Sequence, residues 1–576
     1  MFINSAATAA FTLISYSFTL IPSVHSITVT FPNIPPQNAT MNAVADNFLG
    51  VSYELSSFDT LWGKTADAVP EAMQNYMSNL NMRTTNSLRI RVGGNAMDGS
   101  TYVPTMTDQM LVLTDPDAYF NDQPTNFGPV LFDVMNTMAE KAGQMQFIIG
   151  LSMRDPSNDT NVIQLSQAAE SKLGSRLDAM LLGNEPDLYA GHGEREAYNI
   201  SAYIPEIAQV MNDMRGQSLL DKPILGGPTV CCSWSLGDVL NAGLKDDGYK
   251  YFSIQHYPNN ACSGLNAQNT NMSYYLSHTN AHSFTSWNAD GINLAKSLGT
   301  PVLLTEYNSV SCGGSNISNT FGMTLWAIDA GLQSAAQNVS AVYIHTREYG
   351  VTYNLFDPPS SKNSLDPDWR TGTMYYAALF LSEATSSSTG ETIVADLNVN
   401  NSIYSSSATV AAYGLWSVNN NNTNSSSDTR NKLVLINFGT NTSASTQLFE
   451  ISAPPSGSST TIQYRVLSAP SVFEDLDISW ANQTVLRNGL LDGTQETRTM
   501  ECASGCTIEV PGPGAVLVLL GEGSVFYIDP EPTDSSSNDV QNGGVQRRFG
   551  STSSSGVVAC VMVVVGFMVG VVGGFV

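Results

Sequence analysis

The sequence predicts an α/β fold, a (β/α)8 TIM barrel followed by an antiparallel β-sandwich. From about residue 48, eight short apolar runs alternate with stretches of helical periodicity. Beyond about residue 388 this alternation is replaced by short stretches of period two. The chain has 576 residues, of which 42% are hydrophobic and 13% are charged, so it has enough apolar side chains to bury two cores.

The eight runs are predicted to be parallel strands because their apolar residues are continuous, as in strands of a parallel sheet that helices cover. They are FLGVSYEL (48–55), LRIRVGG (88–94), MQFIIGLSM (145–153), DAMLLGNE (178–185), ILGGPTV (224–230), YFSIQHY (251–257), PVLLTEYN (301–308) and AVYIHT (341–346). Amphipathic stretches lie between them, although the one after the fifth run is short. A doubly wound open sheet is the alternative, but no Gly-rich dinucleotide fingerprint follows the first run.

The C-terminal stretches alternate apolar and polar residues and are separated by Ser, Asn, Gly and Pro clusters, which is typical of antiparallel strands. They are ETIVADLNV, ATVAAYGLWSV, KLVLINFG, STQLFEIS, TTIQYRVLS, CTIEV and GAVLVLLG. ITVTFP at residues 27–32 alternates in the same way. We therefore predict a barrel over 48–387 and a sandwich over 388–528, joined by an N-terminal strand within 27–47.

Both ends of the chain resemble targeting signals. Residues 6–25 are apolar and serine-rich, which predicts a secretory signal peptide over residues 1–26; a buried N-terminal strand is the alternative. A Ser/Gly-rich stalk over 529–553 precedes an apolar tail over 554–576, and small residues at 542–544 lie upstream of the polar spacer. This is the pattern of a GPI-anchor signal, with a plain tail anchor as the alternative. We expect an extracellular protein attached to the cell-surface membrane through its C-terminus.

Cysteines and glycosylation sequons are consistent with secretion. The chain contains eleven N-x-S/T sequons, although any one of them can arise by chance. Of the seven cysteines, Cys560 lies in the apolar tail, and six remain, an even number that permits disulfides. Cys502 and Cys506 are close enough in sequence to bridge a hairpin. The other four, Cys231, Cys232, Cys262 and Cys312, allow several pairings.

The charge balance excludes one class of partner. The chain has 24 basic and 50 acidic residues, a net charge of −26. Such a protein repels nucleic acid at long range unless basic residues cluster, and the densest basic feature is the pair Arg547-Arg548. We expect no nucleic-acid partner.

Two glutamates stand where predicted strands end. Glu185 ends the fourth run, in LLGNEPDLYA, and Glu306 ends the seventh, in PVLLTEYN. In a (β/α)8 barrel the C-terminal ends of the strands form one mouth, and Pro186, which lacks an N–H, turns the chain there. A protonated carboxyl group beside an ionised one suits glycosidic bond cleavage, because one protonates the leaving oxygen and the other attacks the anomeric carbon.

Other chemistries have weaker support. Each glutamate alone could be a loop carboxylate that caps a helix. His278 and His282 are four residues apart but lack the intervening glutamate of an H-E-x-x-H zinc motif, so no metal site is predicted. No G-x-S-x-G elbow of a serine hydrolase is present. His256 is either a packed side chain or part of the site.

The chain resembles glycoside hydrolase family 79, the heparanase and β-glucuronidase family, over roughly residues 27–528. Asn184-Glu185-Pro186 matches the N-E-P acid/base motif of the wider clan of retaining barrel glycosidases, and HYP and EYNSVSCGG carry the resemblance to the family. The resemblance implies a barrel with an attached β-sandwich to which an N-terminal strand contributes. It also implies that Glu185 is the acid/base and Glu306 the nucleophile.

Neighbouring residues are candidates for binding substrate. Asn184 resembles the clan's asparagine that hydrogen-bonds the sugar 2-hydroxyl, and Tyr257 resembles the tyrosine placed near the nucleophile and the sugar carboxylate. Arg91, at the end of the second run, can hold the nucleophile ionised, with a barrel-filling structural arginine as the alternative. Gly313 and Gly314 can offer backbone N–H groups to a uronate carboxylate, with an ordinary turn as the alternative.

We therefore predict a retaining, exo-acting β-glucuronidase that releases terminal glucuronic acid from glycans or glycosides without a cofactor. An endo-acting heparanase-like hydrolase is the rival within enzymes, but its anionic polymer needs basic subsites that this acidic chain has few residues to build. A non-catalytic carbohydrate-binding surface protein is the alternative outside enzymes, because a fold does not fix a function.

Overall fold

The computed structural model describes residues 26–36, 43–118, 123–360, 368–388, 390–418, 428–440, 445–455 and 460–520. The predicted stalk, the apolar tail and all but the last residue of the predicted signal peptide lie outside these ranges. The signal peptide, the GPI anchor and the cell-surface location therefore stay predictions. Within the described ranges, no helix is both long enough and apolar enough to cross a bilayer.

Eight parallel strands close into a barrel in chain order, and the predicted fold class is confirmed. The strands are Leu49–Glu54, Leu88–Gly93, Met145–Leu151, Leu177–Leu182, Leu225–Val230, Tyr251–His256, Val302–Tyr307 and Ala341–Thr346. The eighth strand pairs with the first in the register Val342 with Leu49, which closes the ring. Almost every residue of these strands is buried, as continuous apolar runs require in a sheet lined by side chains inside and helices outside.

Helices follow every barrel strand. The main ones are Glu71–Asn81, Val130–Ala142, Thr160–Leu173, Ile200–Gly216, Leu236–Asn241, His278–Ser286, Ala289–Ser297, Phe321–Ala336 and Met374–Thr385. Helix Glu71–Asn81 buries Met73, Tyr76, Met77 and Leu80, the spacing of one helical face. The helix after the fifth strand, Leu236–Asn241, is short, as the sequence indicates.

The helix after the seventh barrel strand, Phe321–Ala336, is buried on all sides. It contacts helix Met374–Thr385 and also the first strand of the sandwich, Glu391–Asp396. A helix enclosed between two layers needs no exposed polar face, which explains why its sequence is mostly apolar and its few polar residues, such as Asp329, are buried. This helix therefore carries the packing between the barrel and the sandwich.

The sandwich contains a large and a small sheet. The large sheet has the order Ala43–Ala45, Glu391–Asp396, Val410–Ser417, Arg430–Asn437, Gly514–Leu519, Thr461–Ser468 and Ser479–Trp480, with Arg498–Glu501 beside Thr461–Ser468. The small sheet has the order Ser26–Val29, Gln447–Ile451 and Cys506–Val510. Both N-terminal strands thus pair with the C-terminal domain, one in each sheet, and Cys502 bridges to Cys506 beside the small sheet.

A small three-stranded sheet in the loop after the second barrel strand was not predicted from the sequence. Between the second barrel strand and its helix, the chain forms three short strands, Thr101–Tyr102, Leu111–Leu113 and Thr125–Phe127. Strands of two or three residues are too short to show a period of two, so this insertion has no sequence signature.

A buried histidine joins the barrel to the sandwich. His278 Nδ1 lies 2.8 Å from Asp329 Oδ1, and its Nε2 lies 2.7 Å from Asp396 Oδ2. Asp329 belongs to helix Phe321–Ala336, and Asp396 belongs to the sandwich. The hydroxyl of Tyr413 also donates to Asp329 Oδ1 at 2.5 Å. Burial alone would lower the pKa of His278, but the two carboxylates outweigh it and raise the pKa from 6.5 to about 10.

His278→Gln should lower the free energy of unfolding by on the order of 3 kcal/mol, because two buried carboxylates lose their cation. The pKa of the folded state is raised, so this contribution is complete below about pH 6.5 and is lost as the pH rises toward about 10. Urea unfolding of wild type and variant at pH 6 and pH 9 measures it. The control is His282→Gln, a half-buried histidine on the same helix. An equal difference at both pH values would contradict the ion-pair assignment.

Candidate active site

The ends of the barrel strands bring the predicted site residues together. Arg91 lies in the second strand, and Glu185 lies three residues after the end of the fourth. Tyr257 directly follows the sixth strand, and Glu306 lies in the seventh. Arg91 and Tyr257 both hydrogen-bond Glu306. The mouth of the barrel is thus a continuous polar cluster.

Glu306 is held by donors on both carboxylate oxygens. Arg91 Nη1 donates to Oε2 at 2.7 Å, and the Tyr257 hydroxyl donates to Oε1 at 2.8 Å. His345 Nδ1 lies 3.7 Å from Oε2. Burial raises the pKa of Glu306, but His345, Arg91 and Tyr257 together outweigh it and lower the pKa below its usual value. Glu306 is therefore ionised at neutral pH.

The strand register explains how Arg91 reaches Glu306. Arg91 pairs with Ser52 on the first strand, and Ser52 pairs with His345 on the eighth. Parallel strands in register place these three side chains in one row inside the barrel. Arg91 Nη1 also donates to Ser52 Oγ at 3.0 Å, and Ser52 Oγ lies 3.1 Å from His345 Nδ1. The row forms a polar floor beneath the Glu306 carboxylate.

Glu185 is displaced from regular strand geometry. Its backbone is left-handed, with φ 48° and ψ 51°, and its N–H donates to the carbonyl of Thr229 at 3.2 Å. A non-glycine residue in this region is uncommon and is held by its surroundings, here by Pro186 and the short helix that begins there. This turn directs the chain away from the sheet just where the carboxyl group enters the mouth.

The pKa of Glu185 is shifted in the opposite direction to that of Glu306. Burial raises it well above its usual value, and the negative charges of Glu306 and Asp187 raise it further against the opposing charge of Arg91. Glu185 is therefore protonated when Glu306 is ionised. Two neighbouring carboxyl groups with pKa values driven apart are the arrangement that acid catalysis requires beside a nucleophile.

Asp187 fixes the loop that carries Glu185. Its Oδ2 accepts hydrogen bonds from the N–H groups of Cys232 at 2.8 Å and Ser233 at 2.7 Å, and its Oδ1 accepts from the N–H of Cys231 at 3.2 Å. Cys231 and Cys232 are joined by a disulfide between adjacent residues. Asp187 and the two cysteines are grouped closely enough to offer three ligands to a metal, but both sulfurs are used by the disulfide.

The turn after Glu306 has an unusual backbone. Cys312, Gly313 and Gly314 all have positive φ, at 59°, 94° and 84°. A disulfide ties Cys312 to Cys262 in the loop after the sixth strand. Within the described part of the chain, the N–H groups of both glycines lack a hydrogen-bond acceptor, while the Gly313 carbonyl accepts from Thr352 N at 3.1 Å. This pinned turn offers two free donors.

His256 is a packed side chain. Its ring stacks on Trp287 at 4.3 Å and on Phe284 at 4.8 Å between centroids. Burial lowers its pKa to about 4, so it is neutral.

Four residues of the cluster were not identified from the sequence: Ser52, Asn95, Gln255 and His345. Asn95 Oδ1 accepts from Asn184 Nδ2 at 2.7 Å, and Gln255 contacts Asn184 Oδ1 at 2.9 Å. Three of the four are polar residues inside otherwise apolar barrel strands. That interruption is the signal that could have found them, because a buried polar group needs a partner.

Comparisons with known proteins agree with this architecture. The family model for the glycosyl hydrolase family 79 C-terminal beta domain matches residues 412–517. A β-glucuronidase of Neurospora crassa is 28% identical over 336 residues, covering 54% of this chain and 58% of the relative. A β-glucuronidase of Aspergillus niger is 26% identical over 298 residues, covering 46% of this chain and 51% of the relative.

The resemblance to glycoside hydrolase family 79 is confirmed. The chain spans about half the length of the curated relatives it matches. A solved structure of a 4-O-α-L-rhamnosyl-β-D-glucuronidase from Fusarium oxysporum superposes with a TM-score of 0.70 at 21% identity, covering 86% of this chain and 100% of that one. A family 51 α-L-arabinofuranosidase from Bifidobacterium longum superposes with a TM-score of 0.55 at 12% identity, covering 86% of this chain and 99% of that one. At these identities both structures support the fold alone.

Arg91→Met should lower the free energy of unfolding by about 3 kcal/mol, because the buried Glu306 carboxylate loses its ion pair. Adding Glu306→Gln should recover part of this loss, with a coupling energy of about 1–3 kcal/mol. Urea unfolding of the four proteins closes the double-mutant cycle. Lys172→Met is the control: it removes an exposed ion pair with Asp133 and should cost less than about 1 kcal/mol. A coupling energy near zero would mean that Arg91 only fills space.

Proposed function

We propose that the protein is a retaining, exo-acting β-glucuronidase. The observation that carries the proposal is the pair of buried carboxyl groups at the ends of the fourth and seventh barrel strands, one with its pKa raised and the other with its pKa lowered by its surroundings. The two curated relatives are both named β-glucuronidases. The substrate is a carbohydrate or glycoside that ends in β-linked glucuronic acid.

The chemistry follows from the two proton states. Glu306 attacks the anomeric carbon and forms a covalent glycosyl ester, while Glu185 gives its proton to the departing oxygen. The ionised Glu185 then takes a proton from water, whose oxygen attacks the anomeric carbon and releases Glu306. Two inversions give net retention of configuration. Glu185 ends each cycle protonated, as it began.

Asn184 is placed to bind the sugar beside both glutamates. Its Oδ1 accepts from Arg91 Nη2 at 2.7 Å, and its Nδ2 donates one hydrogen to Asn95. The second hydrogen on Nδ2 remains for an acceptor such as the sugar 2-hydroxyl, a contact that strengthens in the transition state. Arg91 and Asn95 thus fix the orientation of the amide before substrate arrives.

The uronate carboxylate is proposed to bind at the turn after Glu306. The free N–H groups of Gly313 and Gly314 form a small anion-binding concavity, as successive amides in positive-φ turns do. Tyr257 directly follows the sixth strand, and its hydroxyl donates to Glu306. A neutral sugar leaves these donors without a partner, which is the basis of the proposed specificity.

Endo-acting cleavage of a sulfated polymer has less support. Three arginines in or just after the second, third and eighth strands are already paired with acidic residues: Arg91 with Glu306, Arg154 with Glu194, and Arg347 with Glu348. Positive charge at the mouth is thus largely neutralised, and the chain as a whole carries −26. A non-catalytic carbohydrate-binding protein is separated from both enzymes by a simple assay of turnover.

The specificity test compares aryl β-glucuronide with the matching aryl β-glucoside. We expect the glucuronide to have the higher kcat/KM by on the order of 100-fold, the worth of a lost charge-assisted contact. Gly314→Ala should reduce this preference, because a Cβ there would meet Thr352 Oγ1 and strain a residue with φ 84°. The control is Gly350→Ala, which has similar φ but open space around it. Equal turnover of both substrates by wild type would remove the uronate assignment.

The mechanistic test separates the two glutamates. Glu306→Gln should abolish turnover of every substrate. Glu185→Ala should still form the glycosyl-enzyme from a substrate with an acidic phenol, then stall for want of a base, and azide should release a β-glycosyl azide. Proton NMR of the first-formed sugar should show the β-anomer with wild type. An early α-anomer would mean inversion, and azide rescue of Glu306→Ala instead would reverse the two roles.

A further inference from the structure

A disulfide between adjacent residues lies at the rim of the barrel mouth. Cys231 and Cys232 directly follow the fifth barrel strand, Leu225–Val230, at its C-terminal end. Cys231 is buried, whereas Cys232 is exposed. The ring of His256, the last residue of the sixth strand, hydrogen-bonds the backbone of Cys231. The bridge therefore lies on the same face of the barrel as the two glutamates.

The bridge is attached to the loop that carries Glu185. Asp187, two residues after Glu185, accepts hydrogen bonds from the N–H groups of Cys231 and Cys232. The Cys231 sulfur lies 3.9 Å from Asp187 Oδ2. Asp187 is close enough to Glu185 for its negative charge to raise the pKa of that carboxyl group. The contacts of the disulfide thus connect it to the acid of the proposed reaction.

The reaction places the leaving group on the side of the acid. In a retaining hydrolysis the nucleophile attacks the anomeric carbon from one face, and the acid gives its proton to the leaving oxygen on the opposite face. With Glu306 as nucleophile and Glu185 as acid, the aglycone departs toward the loops after the fourth and fifth strands. Asp187 and the disulfide belong to these two loops.

The surface that the bridge offers is apolar. A disulfide sulfur has no hydrogen to donate and is at most a weak acceptor. Both oxygens of Asp187 already accept backbone hydrogen bonds, but its negative charge remains beside the sulfurs. An anionic leaving group would be repelled there, and a polar one would find no partner on the bridge. An uncharged aglycone can instead bury an apolar face against it.

We propose that the Cys231–Cys232 disulfide is the apolar wall of the aglycone subsite and selects uncharged aglycones that have an aromatic or similarly apolar face. The inference rests on the proposed function, because it names the leaving group of that reaction. The substrate class is then a glucuronide of an aromatic alcohol or phenol. A bridge between adjacent residues suits this role, because side chains closed into a short ring have little conformational freedom left to lose on binding.

Benzyl and methyl β-glucuronide test the subsite. Benzyl alcohol and methanol have nearly equal acidity, so the two substrates need similar help from Glu185 and differ mainly in apolar contact. Wild type should have a kcat/KM for the benzyl substrate that is higher by on the order of 10-fold, as burial of one face of a ring predicts. Cys231→Ser combined with Cys232→Ser should reduce this ratio to about 2-fold or less. Cys502→Ser combined with Cys506→Ser removes the sandwich disulfide and, as the control, should leave the ratio unchanged.

The ratio separates a binding surface from a brace for the loop. If the disulfide only holds the loop of Glu185, its loss should lower turnover of both substrates equally and keep the ratio, which would overturn the proposal. A ratio near one in wild type would overturn it as well.

Should the double serine variant fail to fold, wild type alone decides the question with 4-carboxybenzyl β-glucuronide. The added carboxylate would lie near the charge of Asp187, so the kcat/KM of this substrate should be lower than that of the benzyl substrate by on the order of 10-fold. An equal or higher value would contradict the preference for uncharged aglycones.

The same comparison can be made on a second sugar. Benzyl and methyl β-glucoside form the matching pair on a neutral glycone. If glucosides are cleaved as well as glucuronides and the benzyl preference holds in both pairs, the proposed function fails and the aglycone subsite stands. If glucuronides are preferred but benzyl and methyl substrates are cleaved equally, the proposed function stands and the aglycone subsite fails.

Discussion

The guanidinium group of Arg91 is the interaction on which the rest of the site depends. It is buried, it has only donors, and it contacts Glu306, Asn184 and Ser52 at once. Its charge keeps one carboxyl group ionised, and its hydrogens fix which end of a neighbouring amide is oxygen. A lysine could supply the charge, but its compact ammonium group lacks the planar fork that reaches two partners in fixed directions. The electrostatics and the hydrogen-bond order of the mouth therefore have one source.

The charge of Arg91 contributes to the difference in pKa between Glu185 and Glu306. Glu306 lies within reach of the positive charge and of a tyrosine hydroxyl, whereas Glu185 is buried beside the negative charges of Glu306 and Asp187. Similar burial thus gives opposite proton states, since the surroundings of each carboxyl group and not the residue type decide its pKa. The loop that carries Glu185 is correspondingly fixed, by the three N–H groups that bind Asp187.

The sequence was sufficient for the barrel because its strands are continuous apolar runs, and for placing Glu185 and Glu306 at one mouth because both stand at the ends of such runs. It was insufficient where function depends on partners distant in the chain. Gln255 and His345 look like ordinary polar interruptions until the register aligns them with Asn184 and Ser52. The adjacent-residue bridge of Cys231 and the pairing of Cys262 likewise follow from loop geometry that spacing does not determine.

Loops around the mouth are held by directional bonds as well as by apolar packing. Two of the three disulfides lie there, one beside Asp187 and one at the Gly313 turn. A loop whose N–H groups and carboxylates face the mouth cannot cover those groups with an apolar face without leaving them unpaired. Covalent bridges and buried ion pairs reduce its freedom without covering those groups. Charge at these loops is balanced as well, because arginines such as Arg154 are paired with acidic residues. The ion pairs of Arg154 and Arg347 thus leave little unpaired positive charge near the mouth, which agrees with the proposed single terminal uronate better than with a sulfated polyanion.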